Sequence, residues 1–333
     1  MTLILSLIAA CVIFLLAMAL WTRLITRQGL RTVPQMGQIV PVQGGSIHYV
    51  EKGNPDAQTL VLIHGLAGQL QHFTYALADQ LAEEYHVIAL DRPGCGYSTR
   101  DTAELAQLPH QAAMIAEFLE IKGGDQAVLV GHSLGGAVSL ALALDHPERI
   151  SGLALLAPVT HRLPETPVIF KPLNIRSEWL RSLIANTIAV PMASKTAPYS
   201  LGVAFGPETP PNDFLDRAGG ALGLRPSAFV TASQDVAGLD ASCDAQVARY
   251  PELSVPGGIL YGRQDALLSP ALHGPPMTKF GLSYEELDGL GHMILITEPE
   301  ICAAFIRKMV NATTASKPPK QNRVPDPLKE IPK

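Results

Sequence analysis

Charge is scarce in this chain. Asp, Glu, Lys and Arg make up 17% of its 333 residues, against 47% hydrophobic residues. That ratio excludes general disorder, which needs high charge and low hydrophobicity. It leaves enough apolar material for one large domain or two small ones. Basic clusters are missing too. The net charge is −5, and no stripe of Lys and Arg offers a footprint for nucleic acid. Cysteine is sparse: Cys11, Cys95, Cys243 and Cys302 stand far apart, with no C-x-x-C pair. Neither a disulfide scaffold nor a zinc site fits that spacing. Most of the histidines, including His48, His86, His110, His146, His161 and His273, also lack metal-like spacing.

One long run without charge stands at the N-terminus. Thr2 to Trp21, TLILSLIAACVIFLLAMALW, is 20 uncharged residues. A helix needs about that many to cross a bilayer core. Trp21 sits where an interfacial aromatic belongs, and Arg23, Arg27 and Arg31 follow it. The positive-inside rule then favours a cytoplasmic location for everything C-terminal to the run, with the periplasmic or secreted side as the alternative. A cleaved signal is the rival reading, because Ala17-Met18-Ala19 fits a small-x-small site. Against it, no basic n-region precedes the run, and the run continues through Leu20 and Trp21. The expected organisation is a transmembrane anchor over 2–21 and a linker over 22–39.

Beyond the linker, SIHYVEKG (46–53) alternates like an edge strand. TLVLIHG (59–65), HVIALD (86–91), AVLVGHS (127–133), ISGLALLAP (150–158) and GGILYG (257–262) are short apolar runs. Such runs read as buried strands of a parallel sheet. Helical patterns lie between them, at Phe73, Leu77 and Leu81, at Ile115, Phe118 and Leu119, and in 136–145. Ile301, Phe305 and Val310 mark a last helix. Strand–helix alternation implies an α/β core in two parts, 40–160 and 255–312. The stretch 161–254 breaks the rhythm with helix-like pieces, such as 177–190, between Pro- and Gly-rich turns, and reads as an insertion over one edge of the sheet. Residues 313–333 hold five Pro and five Lys or Arg, which reads as a disordered tail.

Gly131-His132-Ser133-Leu134-Gly135 fits G-x-S-x-G, after a strand and before a helix. That context holds a serine on a sharp turn with its hydroxyl exposed. Gly131 and Gly135 remove side chains that would collide there, and Gly136 lets the helix pack close. If Ser133 is a nucleophile, an acid and then a histidine should follow after later strands. Asp265 lies just past GGILYG, and His292 lies in a glycine-flanked loop before the last helix. Asp240 and Asp244, inside the insertion, are weaker acids for the role. An oxyanion site needs two backbone N–H groups. Leu134 supplies one by position, and Leu66, in His64-Gly65-Leu66-Ala67-Gly68, is the choice for the other.

Together these pieces resemble the α/β-hydrolase superfamily, in its lid-bearing branch of esterases and lipases. The matching stretches are HG at 64–65, DRPGCGYS at 91–98, GHSLGG at 131–136, YGRQD at 261–265 and GH at 291–292. The resemblance spans about residues 40–312. It implies an α/β-hydrolase fold, a mostly parallel sheet with helices on both faces, plus a mainly helical cap insertion and one N-terminal transmembrane helix. It implies a Ser133–His292–Asp265 triad acting on an ester-like small molecule, with no cofactor or metal. Asp91 and Arg92 are expected to hold loops. No HGGG run is present, which disfavours the hormone-sensitive-lipase-like branch. Serine in place of aspartate as nucleophile disfavours haloalkane dehalogenases and epoxide hydrolases. Where many members carry a tryptophan beyond HG, this chain has QLQHFTY. Three readings follow: an esterase for an apolar acyl group, the same triad in carbon–carbon, thioester or perhydrolase chemistry, and a non-catalytic binding protein on the same fold.

Overall fold

The computed structural model describes residues 1–124 and 126–315, so the tail expectation for 316–333 lies outside the described residues. Nine strands form one sheet: β1 (Gln38–Val42), β2 (Gly45–Lys52), β3 (Thr59–Ile63), β4 (His86–Leu90), β5 (Thr99–Arg100), β6 (Ala127–His132), β7 (Ile150–Leu156), β8 (Gly257–Gly262) and β9 (Leu282–Leu287). The order is β1-β2-β4-β3-β6-β7-β8-β9, with β5 paired to β2. From β4 to β9 every pairing is parallel, and β1 and β2 are antiparallel at one edge. β6 and β7 are buried at every residue. That follows from their apolar runs, since a parallel sheet is covered on both faces.

Successive side chains leave a strand on opposite faces, so one strand feeds two cores. Val61 and Ile63 of β3 join one apolar cluster, and Leu60 and Leu62 join the other. The first is closed by α3 (Leu108–Lys122) and α4 (Leu134–Asp145), through Ile115, Phe118 and Val138. The second is closed by α2 (Leu77–Ala82) and α8 (Pro299–Ala315), through Leu77, Leu81, Phe305 and Ile306.

Between β7 and β8 the rhythm breaks where the sequence implied. The cap comprises a 3-10 stretch (Val168–Leu173), α5 (Glu178–Ile184), a π turn (Ala185–Ala189), α6 (Val190–Phe205), a 3-10 turn (Gly220–Gly223) and α7 (Pro226–Arg249). Its helices start well: the Ser177 hydroxyl accepts from Leu180 N–H, and prolines occupy first-turn positions in α6 and α7.

Four local expectations need correction. Helix α1 runs from Thr2 to Thr32, so the first eleven residues of the expected linker are helix. Their Thr22 and Gly29 are buried against the cap: Thr22 Oγ1 donates to Thr187 O at 2.7 Å, and a Cβ on Gly29 would lie 2.6 Å from Ala221 O. The strand at 46–53 is not the edge, because β1 pairs outside it. The pattern at Phe73–Leu81 makes two short helices, Gln71–Thr74 and Leu77–Ala82, rather than one. The helix-like piece at 177–190 extends through the π turn and α6 to Phe205.

Candidate active site

Ser133 sits between β6 and α4 with φ 55° and ψ −121°. A non-glycine residue in that region costs on the order of 1–3 kcal/mol and persists only when its surroundings hold it. Three backbone hydrogen bonds do so. Ser133 N–H donates to Leu156 O, and Ser133 O accepts from Gly136 N–H and Val159 N–H, all at 2.9–3.0 Å. The glycines make the turn sterically feasible. A Cβ on Gly135 would stand 2.0 Å from Ile63 O, and one on Gly131 would stand 2.5 Å from Ser139 Oγ.

Asp265 and His292 come from the loops after β8 and β9. Asp265 Oδ1 accepts the N–H groups of Leu267 and Leu268 at 2.9 Å each, which fixes the carboxylate. Asp265 Oδ2 lies 2.6 Å from His292 Nδ1. An ionised carboxylate only accepts, so Nδ1 is the nitrogen that carries a proton, and in the neutral ring Nε2 is the one with the free lone pair. His292 and Ser133 line the same two cavities. Asp240 and Asp244 are elsewhere, on α7 and paired with Arg162 at 3.3 and 3.1 Å, although Asp240 reaches the rim of the first cavity.

The loop after β3 rests on the serine: a Cβ on Gly65 would be 2.8 Å from Ser133 Cβ. Leu66 lines both cavities with Ser133 and His292. Arg92, fully buried, holds this loop. Its Nε donates to His64 O at 2.9 Å and its Nη2 to Gly65 O at 3.1 Å. His64 Nδ1 donates to Gly65 O, and His64 Nε2 accepts Arg92 N–H, so one neutral tautomer is fixed. Burial, and then the Arg92 charge, hold His64 well below the usual histidine range. Asp91 works one layer out, as its place in the turn after β4 implies. It accepts from Leu70 and Tyr97 N–H and pairs with His48.

One contributor, Asp235, escaped sequence reasoning. Asp235, in the middle of α7, accepts from Arg92 Nη1 at 3.0 Å and from Arg100 Nη1 at 2.8 Å, with all three side chains buried. His132 Nε2 donates to His292 O at 3.1 Å. His132 is held well below the ordinary range by burial and then by His292. His72 is pushed down to about 4, again by burial and then by His292, and it lines the second cavity. His72 occupies the stretch where the sequence left the pocket wall undefined. Cys95 is buried, with its thiol pushed up to about 11 mainly by burial, which is an inert thiol. Among the described residues no cluster of His, Cys, Asp or Glu could hold a metal.

The two cavities meet at Ser133 and differ in character. One runs past Val159, Leu163 and Leu239 to Arg162, Glu165 and Asp240. The other is walled by Leu201, Ala204, Phe205, Phe214 and Met293. Phe170 of the cap and Leu267 border both.

Residues 58–299 match the alpha/beta hydrolase fold family, and the chain belongs to it. It is a hydrolase-family protein of lipase-like kind. It is 40% identical over 122 residues, 37% of its length, to the dihydrolipoyllysine-residue acetyltransferase component of the acetoin cleaving system of Cupriavidus necator. Over 114 residues, 34% of its length, it is 35% identical to Lipase 3 of Moraxella sp.. These matches cover only 32% and 36% of those relatives, about a third of their lengths. A crystal structure of a bacterial membrane phospholipase A superposes with a TM-score of 0.63 at 23% identity, covering 94% of this chain and 97% of that one. At that identity the likeness concerns the fold.

Proposed function

We propose that the protein is a membrane-anchored serine hydrolase that cleaves carboxylic esters with an apolar acyl group. The observation that carries this reading is Ser133 on its strained turn, sharing both cavities with a His292 whose Nδ1 is tied to Asp265 at 2.6 Å. His292 Nε2 takes the proton of Ser133 Oγ as the oxygen attacks the ester carbonyl. Asp265 keeps the imidazole in the required tautomer and stabilises the imidazolium. Leu66 and Leu134 N–H groups receive the oxyanion, each donor contributing about 3–4 kcal/mol at the transition state. The alcohol leaves with the proton from His292, and water then cleaves the acyl-serine by the same steps in reverse.

The second cavity supports an apolar acyl group, because most of its walls are aliphatic or aromatic, with Gln69, His72 and Ser200 as polar exceptions outside the candidate triad and its neighbour His132. Helix α1 supports the anchor: it is long and apolar enough to cross a membrane, a test that an N-terminal signal sequence also passes. Arg23, Arg27 and Arg31 on its C-terminal side favour a cytoplasmic catalytic domain. The test is a chain-length series of acyl esters, run beside thioesters and a carbon–carbon substrate, with Ser133→Ala as control. A fluorophosphonate should label the wild type at Ser133 and leave the variant unlabelled. Ester turnover equal in both proteins replaces this reading with a non-catalytic role.

A further inference from the structure

We propose that the α5–α6 face of the cap docks into the headgroup layer of the bilayer that α1 spans, so that substrate reaches Ser133 from the lipid phase. The inference rests on the anchoring role of α1. It begins with one stripe on that helix. Leu15, Met18, Ala19, Thr22, Ile25, Thr26 and Gly29 are buried or half-buried, while most of the rest of α1 is exposed. Their spacing of three and four residues puts them on one helix face, and the cap covers it at Thr187 and Ala221. The stripe starts inside the uncharged run. Leu15 lies six residues before Trp21, or about 9 Å along the axis. The run of 20 residues is about 30 Å long, the thickness of the hydrocarbon core, so little of it can be withdrawn to clear the cap. Cap elements beside Trp21 and Thr22, at Lys195 and Thr187, therefore stand at interfacial depth.

What the cap shows at that depth suits lipid. Ile188, Met192, Lys195 and Tyr199 follow one another at four, three and four residues, on one face, and all are exposed. Trp179, 73% exposed, and Leu180 precede them on α5. No Asp or Glu occurs between Trp179 and Pro207. Lys195 Nζ sits 5.2 Å from the centre of the Trp21 ring, which fixes this part of α6 at the level of the interfacial tryptophan. Other side chains of α6, at Ser200, Leu201, Ala204 and Phe205, wall the apolar cavity that reaches Ser133. One helix thus has lipid-compatible side chains outside and cavity side chains inside.

Trp21 and Trp179 are the two tryptophans of the chain, so intrinsic fluorescence separates the anchor from the cap. The full-length protein is placed in phosphatidylcholine–phosphatidylglycerol vesicles carrying lipids brominated near the top of the acyl chain. Trp21→Phe leaves Trp179 as reporter, and Trp179→Phe leaves Trp21. At least twofold quenching is expected for both reporters. Quenching of Trp21 with none of Trp179 overturns the docking proposal while the anchor stands. Quenching of neither overturns the anchor, and the proposal with it. A second measurement uses Met192→Glu and Tyr199→Glu. Hydrolysis of a long-chain ester embedded in the vesicles should fall at least tenfold, and a water-soluble short-chain ester should be hydrolysed within twofold of wild type. Parallel behaviour on the two substrates, whether lost or retained, overturns the proposal.

Discussion

The sheet core and the cap handle buried polar groups in opposite ways. In the core, β3, β6 and β7 are walls of apolar side chains, and the buried polar groups of the candidate site lie where strands end: His64, Asp91, Ser133, Asp265 and His292. The cap buries Arg181, Asp235 and Gln246 within helices. Each there depends on a partner distant in sequence, as Asp235 does on Arg92, 143 residues away. The core groups therefore sit in turns that local sequence shapes, although they too pair at long range, as Asp265 does with His292, whereas the cap groups sit within helices and are recognisable only by their distant partners. Substitutions in the two regions should fail differently.

The largest effect should come from the strand ends. Ser133→Ala should lower turnover about 10⁴-fold or more, and Asp265→Asn should come close to it, because the wrong histidine tautomer is then favoured. Melting temperature should stay within a few degrees in both variants. A large drop in melting temperature would place Asp265 in the framework rather than in the chemistry.

Cap pairing should fail through stability first. Asp235→Asn leaves Arg92 and Arg100 buried without their shared counter-charge, and breaking a buried pair costs about 3–5 kcal/mol. Arg92 also holds Gly65 O and His64 O, beside Leu66. Turnover should thus fall about 10- to 100-fold at temperatures where the variant is still folded, with a smaller change in KM. Stability lost with turnover intact would make the bridge a fastening alone.

This contrast also explains what was legible in the sequence. Strand ends carry their signals in short motifs, so Ser133, Asp265, His292 and the Leu66 loop could be singled out from spacing, and the structure places Leu66, Ser133 and His292 around shared cavities with Asp265 bonded to His292. The Asp235 bridge has no local signature, since an aspartate within a polar helix reads as a solvated face. β9 was missed because LSYEEL alternates only over its first four residues and then breaks at Glu285-Glu286. The end of α1 was missed because the arginines after Trp21 read as linker, while the groups it packs against, Thr187 and Ala221, lie far along the chain.

Acid should sharpen the contrast further. His64, His72, His132 and His273 are buried with pKa values lowered, chiefly by desolvation. His72 and His273 lie at about 4, against 6.5 when exposed. Below 6.5 the unfolded chain takes up protons that these folded sites refuse, so stability falls as pH drops from 6.5 toward 4. For His72 alone the full loss is about 3 kcal/mol. His48 acts in the opposite sense. Burial lowers its pKa, but Asp91 outweighs burial, and the net value is raised. Its contribution is full below 6.5 and fades as pH rises through its folded value. Thermal melts between pH 7 and 4 should show a steep decline, and His72→Gln should flatten it.

The smallest effect separates the two cavities. If the arm walled by Leu201, Ala204 and Phe214 takes the acyl chain, Ala204→Phe shortens that arm without touching Ser133 or His292. Each methylene excluded from an apolar pocket is worth about 1–3 kcal/mol. The ratio of kcat/KM for a long acyl chain to that for a short one should therefore fall at least about tenfold, the effect of one excluded methylene, with the short ester unaffected. Leu163→Phe, in the arm that ends at Arg162 and Asp240, should leave that ratio alone and change selectivity for the alcohol instead. Reversed results would assign the arms the other way. If both variants change the same selectivity, the two cavities act as one.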